Sequence, residues 1–317
     1  MSVLYLTEDE VRSLLTMEMA LEAVEAGFRK LSLDEATNVP RSRCQTDQVM
    51  LHVLPAAAKT LNAVGLKCYT TGKFPAQFQV LLFDPKAGGL IAIIEADHLG
   101  AVRTGAASGV ATKKLARKDA ATVGVFGAGK QAATQLQAVC KVRPIKKAVV
   151  YSRDEAKRAA FAAEMAKVCG TEVVPAAKPE DAATGLDMIC TATSSREPVL
   201  FGNWLSEGTH LNLAGSNFLA KAEVDVDVFR RAALVTADSK DQARIEAGDF
   251  VAAMQEHVFT WADVVELSHV VAGRVPGRQA PTDITVFKSL GLGIEDVATA
   301  AKVYQKAVEQ KVGKYIL

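Results

Sequence analysis

The sequence predicts an α/β protein in which a doubly wound parallel sheet is joined to a second, α+β domain. Two observations carry this reading. Strand-like and helix-like segments alternate through the middle of the chain, which calls for a parallel sheet covered by helices on both faces. At the head of that alternation, the apolar run Ala121-Thr-Val-Gly-Val-Phe126 ends in Gly127-Ala128-Gly129-Lys130-Gln131-Ala132. It passes directly into a helical pattern carried by Ala133, Leu136, Ala138 and Val139. Strand, glycine turn and helix in that order form the context of a dinucleotide fingerprint. Gly127 permits the tight turn, Gly129 lets backbone N–H groups approach a pyrophosphate at the positive helix end, and Ala132 is small enough for close helix–strand packing. Gly127, Ala128, Gly129, Lys130 and Gln131 are therefore candidate cofactor-binding residues.

The remaining elements follow in chain order. Thr7-Glu-Asp-Glu10 has capping-box spacing and opens a short helix with Val11, Leu14 and Leu15. Met17, Leu21, Val24, Phe28 and Leu31 then share one face of a second helix. Segments 49–53, 63–70, 78–83 and 90–95 read as strands. Asp84-Pro-Lys-Ala-Gly-Gly89 joins the last two as a hairpin, so the first sheet is mixed or antiparallel. A helix is expected over 98–116. Further strands are expected at 122–126, 148–151, 172–174, 188–192, 211–214 and 234–236, with helices at 131–140, 155–168 and 226–231. A last amphipathic helix over 294–312, with Val297, Ala301, Val303 and Val308 apolar, lies outside the nucleotide-binding unit and can return onto the first domain.

At 317 residues the chain has room for about two domains of ~150 residues. Its 49% hydrophobic and 23% charged composition suits a soluble globular enzyme. A net charge of +1 gives no electrostatic case for nucleic acid or an anionic membrane. No apolar run approaches the ~20 residues that span a bilayer. The N-terminus shows no basic region followed by an apolar one, so no signal peptide is expected. Five cysteines (Cys44, Cys68, Cys140, Cys169 and Cys190) are scattered without Cys-x-x-Cys spacing, and read as buried free thiols in a reducing, cytoplasmic setting. Neither they nor the five histidines show ligand spacing, and no metal site is expected.

The choice of dinucleotide rests on the end of the second strand of the alternation, about 20 residues past the glycines, where NAD-binding folds place an acidic residue on the ribose. Here the strand ends Tyr151-Ser152-Arg153-Asp154. A hydroxyl followed by a guanidinium suits a 2′-phosphate, through charge-assisted and bidentate hydrogen bonds. The sequence therefore favours NADP(H) over NAD(H). Asp154 reads as the cap of the following helix, although a one-residue shift would bring it to the ribose.

Several segments together resemble the ornithine cyclodeaminase/μ-crystallin family: Gly65-Leu-Lys67, Val80-Leu-Leu-Phe-Asp84, Arg103-Thr-Gly-Ala-Ala-Ser108, Gly127-Ala-Gly-Lys-Gln-Ala132, Asn212-Leu-Ala-Gly-Ser-Asn217 and Ile284-Thr-Val-Phe-Lys-Ser-Leu290. The likeness runs over nearly the whole chain. It implies a Rossmann domain, 118–291, and a substrate-binding and dimerisation domain built from both chain ends, 1–117 and 292–317. It also implies a homodimer, and hydride exchange between a nicotinamide and an α-amino or α-imino acid.

The resemblance assigns the substrate carboxylate to Arg41, Lys67 and Arg103, with proton handling at the lysine. A guanidinium fork holds such a carboxylate rigidly while hydride arrives at the adjacent carbon. Read alone, each cation could be a solvated surface charge. Lys67, however, lies in an apolar strand, and Arg103 precedes a nearly uncharged small-residue helix. Pro40-Arg-Ser-Arg43 leaves Arg43 as an alternative to Arg41. A lysine buried beside two arginines should have a lowered pKa. Thr104, at an apparent helix start, is placed to touch a cofactor phosphate or to act as a simple N-cap. Thr191, Ala192, Thr193 and Ser194 follow a strand end, where cofactors bind in open α/β sheets. Lys288 and Ser289 fall near the nicotinamide by the resemblance, with a surface role for Lys288 equally open.

One departure from the family bears on the reaction. Where cyclodeaminases carry Gly-Gly-Asp, this chain has Gly215-Ser216-Asn217. An amide cannot accept a proton near neutral pH. Expelling ammonia during cyclisation needs such a base; reducing an already protonated imine does not. The expectation is an NADP(H)-dependent imine reductase or alanine-dehydrogenase-like enzyme, with Arg41 and Arg103 clamping the carboxylate, Lys67 orienting the substrate and exchanging a proton, and Asn217 among the cofactor contacts. The rivals are an ornithine cyclodeaminase and a non-catalytic, NADPH-dependent ligand-binding protein.

Overall fold

Two β-sheets organise the chain, each at the centre of its own unit. The computed structural model describes residues 2–316. One unit comprises residues up to Arg103 and from Gly291 onward; the other is Thr104–Leu290. The sequence draws these limits after 117 and after 291. By packing they fall after Arg103 and Leu290, because the later turns of the helix Asp97–Leu115 are tied into the second unit. There Asn212 donates to Thr112 Oγ1 at 3.0 Å, and Gln135 donates to the Thr104 carbonyl at 3.3 Å.

The sheet of the first unit runs in the order Lys314–Ile316, Val3–Leu6, Leu90–Glu95, Gln77–Phe83, Ala63–Gly72, Val49–Ala58 and Ala36–Asn38, with Ser42–Gln45 also paired to Val49–Ala58. Its pairs are antiparallel except Val3–Leu6 with Leu90–Glu95, so the sheet is mixed. The expected hairpin across Asp84 to Gly89 is present. Four strands were not foreseen: Val3–Leu6, Ala36–Asn38, Ser42–Gln45 and Lys314–Ile316. Each has three or four residues, too few to display a period.

Side chains alternate across this sheet. One register row is Leu54, Lys67, Val80 and Ile94, all buried. The opposite row, Pro55, Leu66, Leu81 and Ile93, is apolar and half-buried. Helices Met17–Ser32 and Gly293–Gln310 pack on each other and, through the latter, on the sheet. The helix over Glu8–Leu14 opens with the expected capping box, Thr7 N–H donating to Glu10 at 2.8 Å.

The second unit has an all-parallel sheet in the order Glu172–Pro175, Lys147–Tyr151, Thr122–Phe126, Met188–Thr191, His210–Leu213, Ile284–Lys288, Ala232–Ala237 and Val265–Glu266. One core, with Phe126, Leu213 and Phe250, and another, with Val125, Leu136 and Met188, fill the spaces between sheet and helices. The expected strands are all present. The strand Ile284–Lys288 was missed, although it lies between His210–Leu213 and Ala232–Ala237. All five of its residues are buried, so it lacks the alternation that marks a half-exposed strand.

The five cysteines are free thiols. Of the five, only Cys190 is buried as expected; Cys68, Cys140 and Cys169 are half-buried, and Cys44 is exposed because it lies on the short strand Ser42–Gln45. Among the described residues, no helix is long and apolar enough to cross a membrane.

Candidate active site

In the first unit the structure gathers the three expected cations around two carboxylates. Lys67 stands on the strand Ala63–Gly72, in the buried row between Leu54 and Val80. Its Nζ donates to Asp296 Oδ1 at 3.1 Å. The Nε of Arg103 donates to the same oxygen at 2.8 Å, and its Nη1 reaches Glu295 Oε2 at 2.7 Å. Arg41 is also buried, with Nη2 donating to the Gly291 carbonyl at 3.1 Å. Arg43, the alternative, is half-buried and turns its Nε to His52 Nδ1 at 3.3 Å. The register after Pro40 therefore brings Arg41, not Arg43, to this cluster.

Aromatic rings complete the surroundings. Lys67 Nζ lies 5.2 Å from the Phe78 ring centroid and 5.8 Å from that of Tyr69, within cation–π range. Tyr69 stacks on His52 with centroids 4.3 Å apart. Burial and the neighbouring arginines push the His52 imidazole down to about 4, so it is neutral at physiological pH and serves as a ring surface.

The electrostatics follow from these contacts. Burial pushes the Lys67 ammonium down from 10.5 to about 8; Asp296 opposes the shift, and Arg103 and Arg41 add to it. The direction is the one the sequence predicts, but burial outweighs the arginines, and the counter-charge of Asp296 was unforeseen. Burial also acts against Arg103, yet Asp296 and Glu295 more than offset it and hold its pKa above the ordinary value. Lys67, Arg103 and Arg41 are buried here together with Glu295 and Asp296. Asp296 Oδ2 has no hydrogen-bond partner among the described residues.

Glu295 and Asp296 were not singled out from the sequence. Acidic residues in a first helical turn ordinarily complement the helix dipole at the surface. Here every residue from Gly293 to Ala301 is buried, and two acids inside an otherwise apolar, small-residue stretch were the available signal.

Arg103 and Thr104 do not stand at a helix start. The helix begins at Asp97, and Thr104 lies about two turns inside it, so the N-cap reading is corrected. The stretch before Arg103 (His98-Leu-Gly-Ala-Val) already holds helical geometry, and no chain break marks the arginine.

In the second unit a cleft of about 830 Å³ opens at the carboxyl ends of the central strands. The fingerprint residues Gly127, Ala128, Gly129, Lys130 and Gln131 line it. Gly127 has φ +113°, and a Cβ there would lie 2.5 Å from the Ala192 carbonyl oxygen, so only glycine fits this turn. Gly129 is the N-cap of the helix Lys130–Val142 and provides no side-chain cap, leaving the first-turn amides to an external anion. Ser152, Arg153, Asp154 and Lys157 line the next part of the cleft, and Ala192, Thr193 and Ser194 another. These groups fit a dinucleotide. Asp154 is engaged as the cap of the helix Glu155–Cys169, its Oδ1 accepting from Lys157 N at 3.0 Å. That backbone bond, the first of several favourable contacts, holds its carboxyl below the usual range.

Three expected cofactor residues are not among those lining the cleft. Thr104 is in the helix described above; Asn217 follows the anchored pair Gly215-Ser216; and Thr191 is buried, with its hydroxyl on Glu223 Oε2 at 2.7 Å. Lys288 is not a surface residue: it is fully buried, paired with Asp249 at 2.7 Å and donating to the Ser216 carbonyl at 2.7 Å. Its ammonium is tolerated in a central strand because those two partners satisfy it.

Comparison with known proteins agrees with the two-sheet α/β fold. The model of the ornithine cyclodeaminase/mu-crystallin family matches residues 2–311. An alanine dehydrogenase of Archaeoglobus fulgidus is 34% identical, the match covering 100% of this chain and 98% of the relative. The structure of Thermococcus litoralis Delta(1)-pyrroline-2-carboxylate reductase in complex with NADH and L-proline superposes with a TM-score of 0.94 at 36% identity, over 99% of this chain and 100% of that one. An archaeal alanine dehydrogenase dimer with bound NAD gives a TM-score of 0.94 at 33% identity, over 100% of this chain and 99% of that one.

Proposed function

The chain belongs to the ornithine cyclodeaminase/mu-crystallin family, and from that premise we propose that it is an NAD(P)H-dependent oxidoreductase of α-imino and α-amino acids. The observation that carries this reading is the buried cluster of Arg41, Lys67 and Arg103, in which Lys67 and Arg103 share one oxygen of Asp296. Arg103 and Arg41 hold the substrate carboxylate. Lys67 orients the imino group and, poised near 8, gives or takes the proton at nitrogen. Bound NAD(P)H supplies the hydride that adds to Cα. The Phe78 ring lies beside the lysine, its centroid 5.2 Å from Nζ.

Reduction is favoured over ammonia-expelling cyclisation because, by the family resemblance, Asn217 replaces the aspartate that cyclodeaminases carry, and an amide cannot accept a proton near neutral pH. The test is a screen of cyclic imines, and of 2-oxo acids with ammonia or amines, following absorbance of the reduced cofactor. The reading expects turnover with an α-imino acid such as Delta(1)-pyrroline-2-carboxylate, the substrate class named for the T. litoralis enzyme. Release of proline and ammonia from ornithine, with no net change in cofactor, would instead mark a cyclodeaminase. Tight binding without turnover across the panel would mark a ligand-binding protein.

We favour NADP(H) as the cofactor of this chain, although the solved relatives named above hold NADH or NAD. Ser152 and Arg153 line the cleft, while Asp154, the residue that would select a ribose hydroxyl, is occupied as a helix cap. For quaternary structure we favour a homodimer formed through the half-buried apolar row Pro55, Leu66, Leu81 and Ile93, an apolar face of the kind that marks an interface. Five free thiols fit a reducing, cytoplasmic location.

A further inference from the structure

Beneath the cleft-lining segment at Thr193 and the loop at Gly215–Ser216 that follows the neighbouring strand lies a buried ionic group that the proposed chemistry does not use: Glu223, Asp249 and Lys288, each at most 3% exposed. Glu223 gathers four donors. Its Oε1 accepts from Thr193 N at 2.7 Å and Thr193 Oγ1 at 2.8 Å. Its Oε2 accepts from Thr191 Oγ1 at 2.7 Å and Gly215 N at 2.8 Å. Any side chain at Gly215 would collide with this carboxylate, which accounts for the glycine. Behind it, Glu223 N donates to Asp249 Oδ1 at 2.6 Å, and Lys288 joins Asp249 to the Ser216 carbonyl. Burial and Asp249 push the Glu223 carboxyl up, while Lys288 and the hydroxyl and amide donors pull it down.

The strand order says which half of the cofactor these loops serve. The fingerprint strand Thr122–Phe126 has Lys147–Tyr151 on one side, ending at Ser152 and Arg153. On its other side are Met188–Thr191 and then His210–Leu213. A pyrophosphate at Gly127 to Gly129, with adenosine toward Ser152, sends the nicotinamide half across the ends of the latter two strands. Those are the two ends that Glu223 ties together.

We propose that Glu223 is a positioning residue for the nicotinamide half of the cofactor, holding the Thr193 and Gly215–Ser216 loops in register from beneath. This rests on the dinucleotide-binding reading of the second unit, and is independent of the substrate and of the choice between NAD and NADP. The isosteric substitution Glu223→Gln is the informative one. Each carboxylate oxygen faces a backbone N–H, of Thr193 or of Gly215, and a backbone N–H cannot turn round to accept. In either amide orientation the new NH2 meets one of them, so one loop must move.

The experiment titrates the whole protein with the reduced dinucleotide that the wild type binds more tightly, NADH or NADPH, by its fluorescence. A parallel titration uses the matching adenine half, ADP or 2′,5′-ADP, by calorimetry. The expected result for Glu223→Gln is a dissociation constant for the dinucleotide raised tenfold or more, with the adenine half bound as by the wild type. Thr193→Val, which removes one of the four donors and is the milder change, moves in the same direction by a smaller factor. Unchanged dinucleotide affinity in Glu223→Gln overturns the proposal. An equal loss for both ligands overturns it too, since that is the mark of a general structural role. Failure of the wild type to bind either dinucleotide or its adenine half overturns the underlying reading instead. Should Glu223→Gln not fold, Glu223→Asp, which draws the carboxylate back from the Thr193 and Gly215 amides and does not itself line the cleft, decides by the same split.

Discussion

A single carboxylate oxygen, Oδ1 of Asp296, accepts hydrogen bonds from both Lys67 Nζ, at 3.1 Å, and Arg103 Nε, at 2.8 Å. The acid therefore fixes the separation of the two cations and sets the charge each feels. In a buried site such a pairing is seldom a source of net stability, because desolvation consumes much of the Coulombic gain. Its consequence here is positional: two cations that would repel are held side by side.

Asp296→Asn tests that arrangement. The amide keeps the shape but removes the charge that opposes burial at Lys67. We expect kcat/KM to fall about 10–100-fold, the scale of losing one charged hydrogen bond of about 1.5–3 kcal/mol. Cofactor affinity should stay at the wild-type value. Steady-state kinetics alongside a cofactor titration check this. Glu295→Gln alters a carboxylate bonded to Arg103 while keeping the Lys67–Asp296 contact, and should move the alkaline limb of the pH profile less than Asp296→Asn does.

The pH dependence has a definite sign. Lys67 titrates near 8 in the folded chain, against an ordinary 10.5. Imine reduction that draws on its proton should weaken as pH rises through about 8, and amino-acid oxidation should strengthen over the same range. Asp296→Asn should move both limbs to lower pH. A folded pKa below the unfolded one also means that the unfolded chain holds more protons between about 8 and 10.5, so stability owed to this lysine rises with pH across that window. Lys67→Met should abolish turnover, leave cofactor binding intact, and remove that part of the pH dependence of Tm. Turnover at the wild-type rate in Lys67→Met would end the case for its proton role.

Arg153→Ala addresses cofactor choice. Loss of a guanidinium that pairs with a 2′-phosphate should raise KM for NADPH about 10-fold or more, on the scale of a charged hydrogen bond. KM for NADH should be nearly unchanged. Equal effects on the two dinucleotides would argue against a 2′-phosphate contact.

Leu81→Asp places a charge in the middle of the half-buried row of Pro55, Leu66, Leu81 and Ile93. Sedimentation or light scattering should report a dimer for the wild type and a monomer for the variant. A wild-type monomer, or a variant that dimerises unaltered, would remove this face from consideration.

The legibility of the sequence varied with the kind of signal. The fingerprint was readable because a glycine turn between a strand and a helix is a local arrangement, and the structure holds Gly127 at a positive φ as that turn requires. Half-exposed strands such as Ala63–Gly72 announced themselves by alternation. The fully buried strand Ile284–Lys288 carried no alternation, and its lysine suggested a surface that is not there. In the site, Lys67 and Arg103 stood out as cations in apolar or small-residue surroundings, whereas Arg41 came from the family resemblance, with Arg43 left open beside it. Their partners Glu295 and Asp296 lie about 190 to 230 residues away in sequence, so only the folded chain brings them together. The same holds for Glu223, whose donors come from two separate segments, Thr191–Thr193 and Gly215.

The most direct test of the central claim is isotopic. The protein is incubated with Delta(1)-pyrroline-2-carboxylate and reduced dinucleotide carrying deuterium at the nicotinamide C4, and the amino acid formed is examined by NMR and mass spectrometry. Transfer of one deuterium to Cα, lost when Lys67 is replaced by Met, is the result the account predicts. No deuterium at Cα of the product from this or any other α-imino acid, with the dinucleotide demonstrably bound, would contradict it.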